Sequence, residues 1–294
     1  MNEKNTGAIV YRTETVWGNS ADIGIYALAS LVNGLAAEGG EGNAVRVEAH
    51  TFLPPGGKSP HIYEVEKRIK KECARLGVVL DSIRRSPGVP ASCYMVSVTG
   101  FSTVKESSHG AMRPGQEIVL AKWAGLEGTL RILEEREEEL RKRFAPGFLE
   151  QIRKLKPEIY AAEVIEGSRE AGVTAVRQVG EGGIYAALWR LAEEAQAGLD
   201  VDLKKVPVRQ ETIEICEHFR LNPYQLSSAG AMLMIADAGE ELVRILQEKR
   251  IYAGVIGHFR EDRDKIIQNG GEVRYIDRPS GDEVYKVFPL HFCS

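Results

Sequence analysis

Apolar residues along the chain switch between a spacing of two and a spacing near 3.6, and each switch marks an element. Ala8 to Tyr11 reads as a short strand. Asn19-Ser20 then predicts a cap for a helix whose apolar positions Ile23, Ala27, Leu28, Leu31, Val32 and Leu35 run up to Gly39-Gly40. Val45 to Phe52 alternates as a strand, Pro54 to Lys58 is a loop, and Ser59-Pro60 opens a helix carrying Ile62, Val65, Ile69, Cys73 and Leu76 on one face. Val78 to Ile83 and Tyr94 to Val104 read as two further strands. The chain turns polar from Lys105 to Gly115, and a domain boundary is placed there, giving domains over residues 1–104 and 113–290.

The second part opens with a strand, Glu117 to Lys122, a glycine turn from Ala124 to Thr129, and a helix expected to run through Arg143. In its tail Glu137, Glu138 and Glu139 precede Arg141, Lys142 and Arg143 by four residues, the favourable orientation for a solvated helix face. Helical stretches around Phe148–Leu155 and Glu158–Glu170 lead to a strand at Val173–Val179, a second glycine turn, Gly180-Glu181-Gly182-Gly183, and a helix bearing Ala186, Leu188, Trp189, Leu191 and Ala192. A strand at Leu199–Val206, a helix at Glu211–Phe219, a loop at Asn222-Pro223 and an apolar strand at Ala231–Ala236 follow. A helix at Glu240–Lys249, a strand at Ala253–Phe259 and a hairpin about Asn269-Gly270-Gly271 complete the pattern. Strands and helices interleave, so the expected class is α/β (α+β) in two domains.

Composition narrows the functional classes. The 294 residues are 43% hydrophobic and 27% charged, with 38 basic against 42 acidic side chains and a formal net charge of -4. Such a balance lacks the basic stripe that a nucleic-acid binder needs to replace counterions, so no nucleic-acid partner is expected, while small acidic ligands stay open. The polar start resembles no secretory signal and no apolar run reaches the roughly 18 residues of a membrane span, so the expectation is a cytoplasmic protein with no membrane partner. Cys73, Cys93, Cys216 and Cys293 contain no C-x-x-C pair; neither a disulfide framework nor a metal site is written into their spacing, and Cys73 and Cys216 are expected in the core. The six histidines show no pair at metal-ligand spacing.

Candidate chemistry sits at the two strand–glycine–helix segments. Gly125, Gly128 and Thr129 in the first, and Glu181, Gly182 and Gly183 in the second, would let backbone approach a ligand and present unpaired helix-start N–H groups to phosphate. Neither is a G-x-x-x-x-G-K-[ST] or G-x-G-x-x-G loop, and tight turns need glycine for geometry alone, so both readings stand at this point.

The run Pro114 to Thr129 (P-G-Q-E-I-V-L-A-K-W-A-G-L-E-G-T) resembles the opening of the C-terminal domain of the aminoimidazole ribonucleotide synthetase superfamily, in the branch related to the hydrogenase maturation carbamoyl dehydratase. Gly180 to Trp189, Val206 to Ile215 and Asn222 to Gly230 are similar to the same domain. Upstream, Val32-Asn33-Gly34-Leu35-Ala36 is similar to the family's Asn-Asp-Leu-Ala helix and Tyr94 to Gly100 to its last N-domain strand. The resemblance implies a two-domain fold whose N-terminal sheets pair in a dimer barrel, with ATP and Mg2+ held between the domains largely by N-domain acids. It also implies ATP-dependent activation of an amide or acyl oxygen, or phosphate transfer to a small acceptor.

The residues depart from that pattern where it would hold metal. Thr13-Glu14 stands for the family's Thr-Asp, Gly34 for its helix aspartate, and Arg177-Gln178-Val179-Gly180 for His-Asp-x-Thr; the segment around Asp81 does not match its Gly-Gly-His-Thr-Glu turn. Glu14, even with Asp81, is a poor set for magnesium, which demands near-octahedral oxygen ligands. Cys293 is penultimate, whereas related tails end on a catalytic cysteine in a Pro-Arg-x-Cys form, so coincidence is the expectation. Three readings follow. The first is a diverged member without the ATP–magnesium site, acting as a binding or dimer-partner subunit, homodimeric or paired with a related subunit through the N-terminal domain. The second is an active ATP-dependent enzyme using Glu14, Thr129 and Gly182-Gly183. The third is a metal-free sensor of a small phosphorylated ligand using the two helix starts and Arg177.

Overall fold

The computed structural model describes residues 8–41, 45–88, 91–104 and 110–288. They form two compact units, divided between residues 108 and 109. In the first, β1 (Ala8–Gly18), β4 (Tyr94–Val104), β2 (Arg46–Leu53) and β3 (Val79–Pro87) make a four-stranded sheet in the order β1-β4-β2-β3. β2 and β3 are parallel because the helix α2 (Ser59–Leu76) carries the chain between them, and the other neighbours are antiparallel. The helix α1 (Ile23–Ala37) and α2 supply the buried faces, with Tyr26, Leu28, Leu31, Ile62 and Ile69 fully enclosed. Where α1 meets α2, a Cβ on Gly24 would lie 2.3 Å from Ile69, so this crossing requires glycine.

The second unit is built on a seven-stranded sheet. It comprises β5 (Glu117–Ala121), β6 (Ala175–Gly180), β7 (Gly198–Asp202), β8 (Ser228–Ala236), β9 (Ala253–Arg260), β10 (Lys265–Asn269) and β11 (Glu272–Tyr275), in the order β11-β10-β7-β9-β5-β8-β6. Every residue of β8 is buried, as its unbroken apolar run requires. Seven helices complete it: α3 (Leu126–Glu135), α4 (Glu137–Arg143), α5 (Pro146–Lys154), α6 (Ala162–Glu170), α7 (Gly183–Ala195), α8 (Gln210–Phe219) and α9 (Gly239–Glu248), followed by the short α10 (Val284–Val287). One core gathers Leu120, Ile184, Leu188, Leu233, Ile256 and Phe259. The architecture is the expected mixed α/β.

Several boundaries differ from the sequence pattern for identifiable reasons. β1 runs to Gly18 rather than Tyr11, because Thr13 and Thr15 face Thr99 and Ser97 across the ladder and alternate with no apolar signal. α1 starts beyond Asp22, whose carboxylate pairs with Arg68 at 2.7 Å, and Ser20 accepts the Asp22 N–H without capping the helix itself. The helix expected through Arg143 breaks at Arg136, which leaves helical geometry (φ -125), so α3 packs inward while α4 buries only Leu140. The stretch expected as a helix over Glu158–Glu170 begins as a 3-10 turn at Lys156–Ile159 and becomes α6 only at Ala162. The strand expected over Leu199–Val206 stops at Asp202, whose side chain accepts the Lys204 N–H and closes a 3-10 turn. The hairpin at Gly270-Gly271 forms as expected, joining β10 to β11. Cys73 and Cys216 are buried, which pushes their thiols up to about 11 and about 12. Cys293 lies outside the described residues.

Candidate functional site

The first glycine turn follows β5, where Gly125 (φ +74) caps α3. Its N–H donates to Ser228 Oγ at 2.7 Å, the Gly128 N–H donates to the Ser227 carbonyl at 2.9 Å, and the wholly buried Thr129 hydroxyl donates to the Gly125 carbonyl at 2.8 Å. A Cβ on Gly128 would meet Leu226 Cγ at 2.3 Å. Gly125, Gly128 and Thr129 thus have their donors engaged inside the protein, and Leu226 fills the space in front of them. Here glycine serves the close approach of α3 to the segment before β8.

The second turn follows β6. Gly180, Gly182 and Gly183 all have positive φ, the conformation for which glycine is favoured. A Cβ on Gly183 would lie 2.6 Å from the Tyr224 carbonyl. The Gly182 N–H at the start of α7 donates to Asp282 Oδ2 at 2.8 Å. That carboxylate also accepts from Ser227 Oγ at 2.6 Å and from the Val284 N–H at 2.9 Å. An anion does sit on this helix start, as the electrostatics of an N-terminus favour, and it belongs to the chain itself. Glu181 is exposed beside it, with its carbonyl accepting from Arg190 at 3.2 Å. Arg177 points elsewhere: its guanidinium pairs with Glu194 and donates to the Val176 carbonyl at 2.7 Å.

The two turns are brought together by the segment Asn222 to Gly230. Ser228 serves the first turn, Ser227 reaches both through its carbonyl and its hydroxyl, and next to them lies a buried ionic cluster. Arg131 of α3 is 3.7 Å from Glu127 and 3.3 Å from Ser227 Oγ, with its guanidinium over the rings of Tyr285 and Phe288. Glu127 in turn accepts the Ala229 N–H at 2.9 Å. Burial pushes the Glu127 carboxyl up to about 7, only partly countered by Arg131 and the Ala229 N–H and reinforced by Asp282 and Glu181. Burial alone would lower the Arg131 guanidinium, but Tyr285, Glu127 and Asp282 more than offset it and keep it charged. Asp282, Arg131 and Ser227 carry no signal in the sequence, since only the fold places a carboxylate from beyond the hairpin on a helix start a hundred residues earlier.

In the first unit Glu14 lies on β1. Arg12, two residues away on the same face, donates to Glu14 at 2.9 Å from Nη2 and 3.2 Å from Nε, and pairs with Glu38 at the end of α1. Burial acts to lower the Arg12 guanidinium, and the two carboxylates together hold it above its ordinary value. The Arg12 side chain lies against Gly34, where a Cβ would come within 2.4 Å of Nε. Asp81 is likewise engaged, accepting from Arg46 Nε at 3.0 Å. Among the described residues, no three of His, Cys, Asp or Glu cluster in a way that could hold a metal ion.

The model of the AIR synthase related protein, C-terminal domain, matches residues 113–269. A putative hydrogenase expression/formation protein of Methanocaldococcus jannaschii is 25% identical over 278 residues, covering 90% of this chain and 79% of the relative. Carbamoyl dehydratase HypE of Rhodobacter capsulatus is 24% identical over 229 residues, 74% of this chain, which spans only 63% of that relative's length. A crystal structure of hydrogenase maturation protein HypE in complex with ATP has a TM-score of 0.69 at 20% identity, covering 96% of this chain and 88% of the other, a likeness of fold.

Two outcomes check this geometry. Alanine in a helix ordinarily stabilises by up to about 1 kcal/mol over glycine, but at position 128 its Cβ meets a fully buried Leu226. Gly128→Ala is therefore expected to destabilise by about 1–3 kcal/mol in urea unfolding; a stabilised variant would show the turn to be open. The raised Glu127 carboxyl binds its proton more tightly in the folded chain than in the unfolded one. Stability should therefore fall as pH rises from about 4.5 to about 7, and Glu127→Gln should flatten that slope relative to the parent protein.

Proposed function

The chain belongs to the AIR synthase related family, and from that premise we propose that it is a diverged, hydrogenase-maturation-like member that has given up the family's ATP–magnesium site and acts as a binding or dimer-partner subunit. One observation carries this reading: a guanidinium occupies the place where the resemblance expects a metal-binding acid. Gly34 stands for that aspartate, and the Arg12 side chain fills the room a side chain there would need. Glu14, the surviving carboxylate, is held by the same Arg12. Magnesium needs one or two carboxylates in a near-octahedral oxygen shell, and carboxylates already neutralised around an arginine do not fit it.

The partner role draws support from the outer face of the first sheet. Ile9 and Tyr11 are 65% and 77% exposed on alternate residues of β1, and Tyr11 pairs directly with Phe101 of β4, itself partly exposed. Contiguous apolar side chains of this kind on a soluble sheet mark an interaction surface. A sheet-to-sheet contact with a second copy, or with a related subunit, would cover them. The homologues fit this role as well, since HypE has been crystallised in a HypE–HypF complex. None of the described helices is long and apolar enough to cross a membrane.

Two measurements test the proposal. Isothermal titration with ATP should give no heat that depends on magnesium, and incubation with magnesium–ATP should release no phosphate; a magnesium-dependent micromolar affinity would return the chain to the ATP-using enzymes. Sedimentation should find a dimer, of like or related chains, that Tyr11→Glu converts to monomers without loss of fold, and an unchanged oligomeric state in that variant would remove the β1 face from the interface.

A further inference from the structure

We propose that the cavity beneath the β10–β11 hairpin of the second unit is a metal-independent binding site for a planar aromatic ring that carries an anionic group. The cavity has a volume of about 360 Å³. That is near the lower end for small-molecule sites. Leu203, Ile267 and Ile276 give it an apolar floor. Tyr185 of α7 lines it and is stacked on Tyr224, which does not line it, with centroids 5.7 Å apart and planes 18° from parallel. The Tyr185 ring is therefore backed on one side by a second ring, a rigid platform of the kind on which flat ligands stack.

Cationic and amide groups complete the recognition. Arg278 lines the cavity and makes no ion pair among the described residues, which leaves its guanidinium to an anion, while Asp277 beside it adds one carboxylate to the same lining. Arg274 lies on the same wall and shares its charge with Glu272 at 2.7 Å. The carboxamides of Gln225 and Asn269 also line the space without a side-chain hydrogen bond among the described residues, and each offers both donors and an acceptor to the edge of a ring. Gly182 borders the cavity, but its N–H already holds Asp282. The anion is therefore recognised by side-chain guanidinium and not by the start of α7, which sets this cavity apart from the glycine turns. Such a ligand could be a heterocyclic phosphate or an aromatic carboxylate, which share the ring and the charge.

The test is calorimetric titration of the full chain in EDTA with AMP and with phenylpyruvate, and with adenosine as the uncharged control. Saturable binding of at least one anionic probe is expected, weakened about tenfold by Arg278→Ala, with any adenosine affinity unaltered by that substitution. Arg177→Ala, which touches a different surface, should leave the affinity unchanged. AMP binding alone assigns the heterocyclic phosphate, phenylpyruvate binding alone the aromatic carboxylate, and binding of both supports the shared chemistry. Failure of both probes to saturate at millimolar concentration, or an affinity indifferent to Arg278→Ala, overturns the proposal.

Discussion

The carboxylate of Asp282 ties together the end of the second unit where the conspicuous sequence motifs meet. It is almost fully buried, and it is tolerable there because an N–H at the start of α7, a serine hydroxyl and the Val284 N–H all donate to it. Without a bonded anion the helix start would present unsatisfied donors to the interior, and without those donors the carboxylate would be an unpaired buried charge. Through Ser227 the same oxygens reach the segment that packs Leu226 against Gly128, and beside them Arg131 balances Glu127. The glycine turns, the serine pair and the chain beyond the hairpin thus form one polar assembly.

Much of this was legible from sequence in outline and little in detail. Apolar periodicity locates the elements because burial imposes it, and the apolar run of β8 announces a strand covered on both faces. The pattern fails where polar residues form structure: the threonines of β1 extend a strand that hydropathy ends at Tyr11, and Arg136 breaks a helix whose charge pattern continues smoothly. The cap expected at Asn19-Ser20 lies too early, since α1 starts beyond Asp22 and Ser20 accepts the Asp22 N–H instead. The glycine-rich segments form turns, as their composition indicates. Whether their N–H groups await a ligand depends on Ser228, Leu226 and Asp282, which lie far away in sequence, and no local motif reports a contact of that range.

The first unit shows the same logic with the opposite outcome. There the resemblance names positions where acids are expected, and the sequence by itself shows glycine at one of them, Gly34. What it does not reveal is the replacement, because Arg12 sits in an alternating strand where an arginine ordinarily faces solvent. The fold turns it across α1, where Glu14 and Glu38 make it part of a three-charge cluster. The two units therefore differ in what fills these positions, a cation among acids in the first and a carboxylate among donors in the second.

The interlock of Arg12 with Gly34 also constrains substitution. An aspartate introduced at position 34 would have to displace a guanidinium tethered by two carboxylates, and loss of Arg12 alone would leave those carboxylates without their shared counter-charge. Neither substitution is neutral by itself, so exchange of the pair passes through a less stable chain. The two positions are therefore coupled: a change at either is tolerated best with a change at the other.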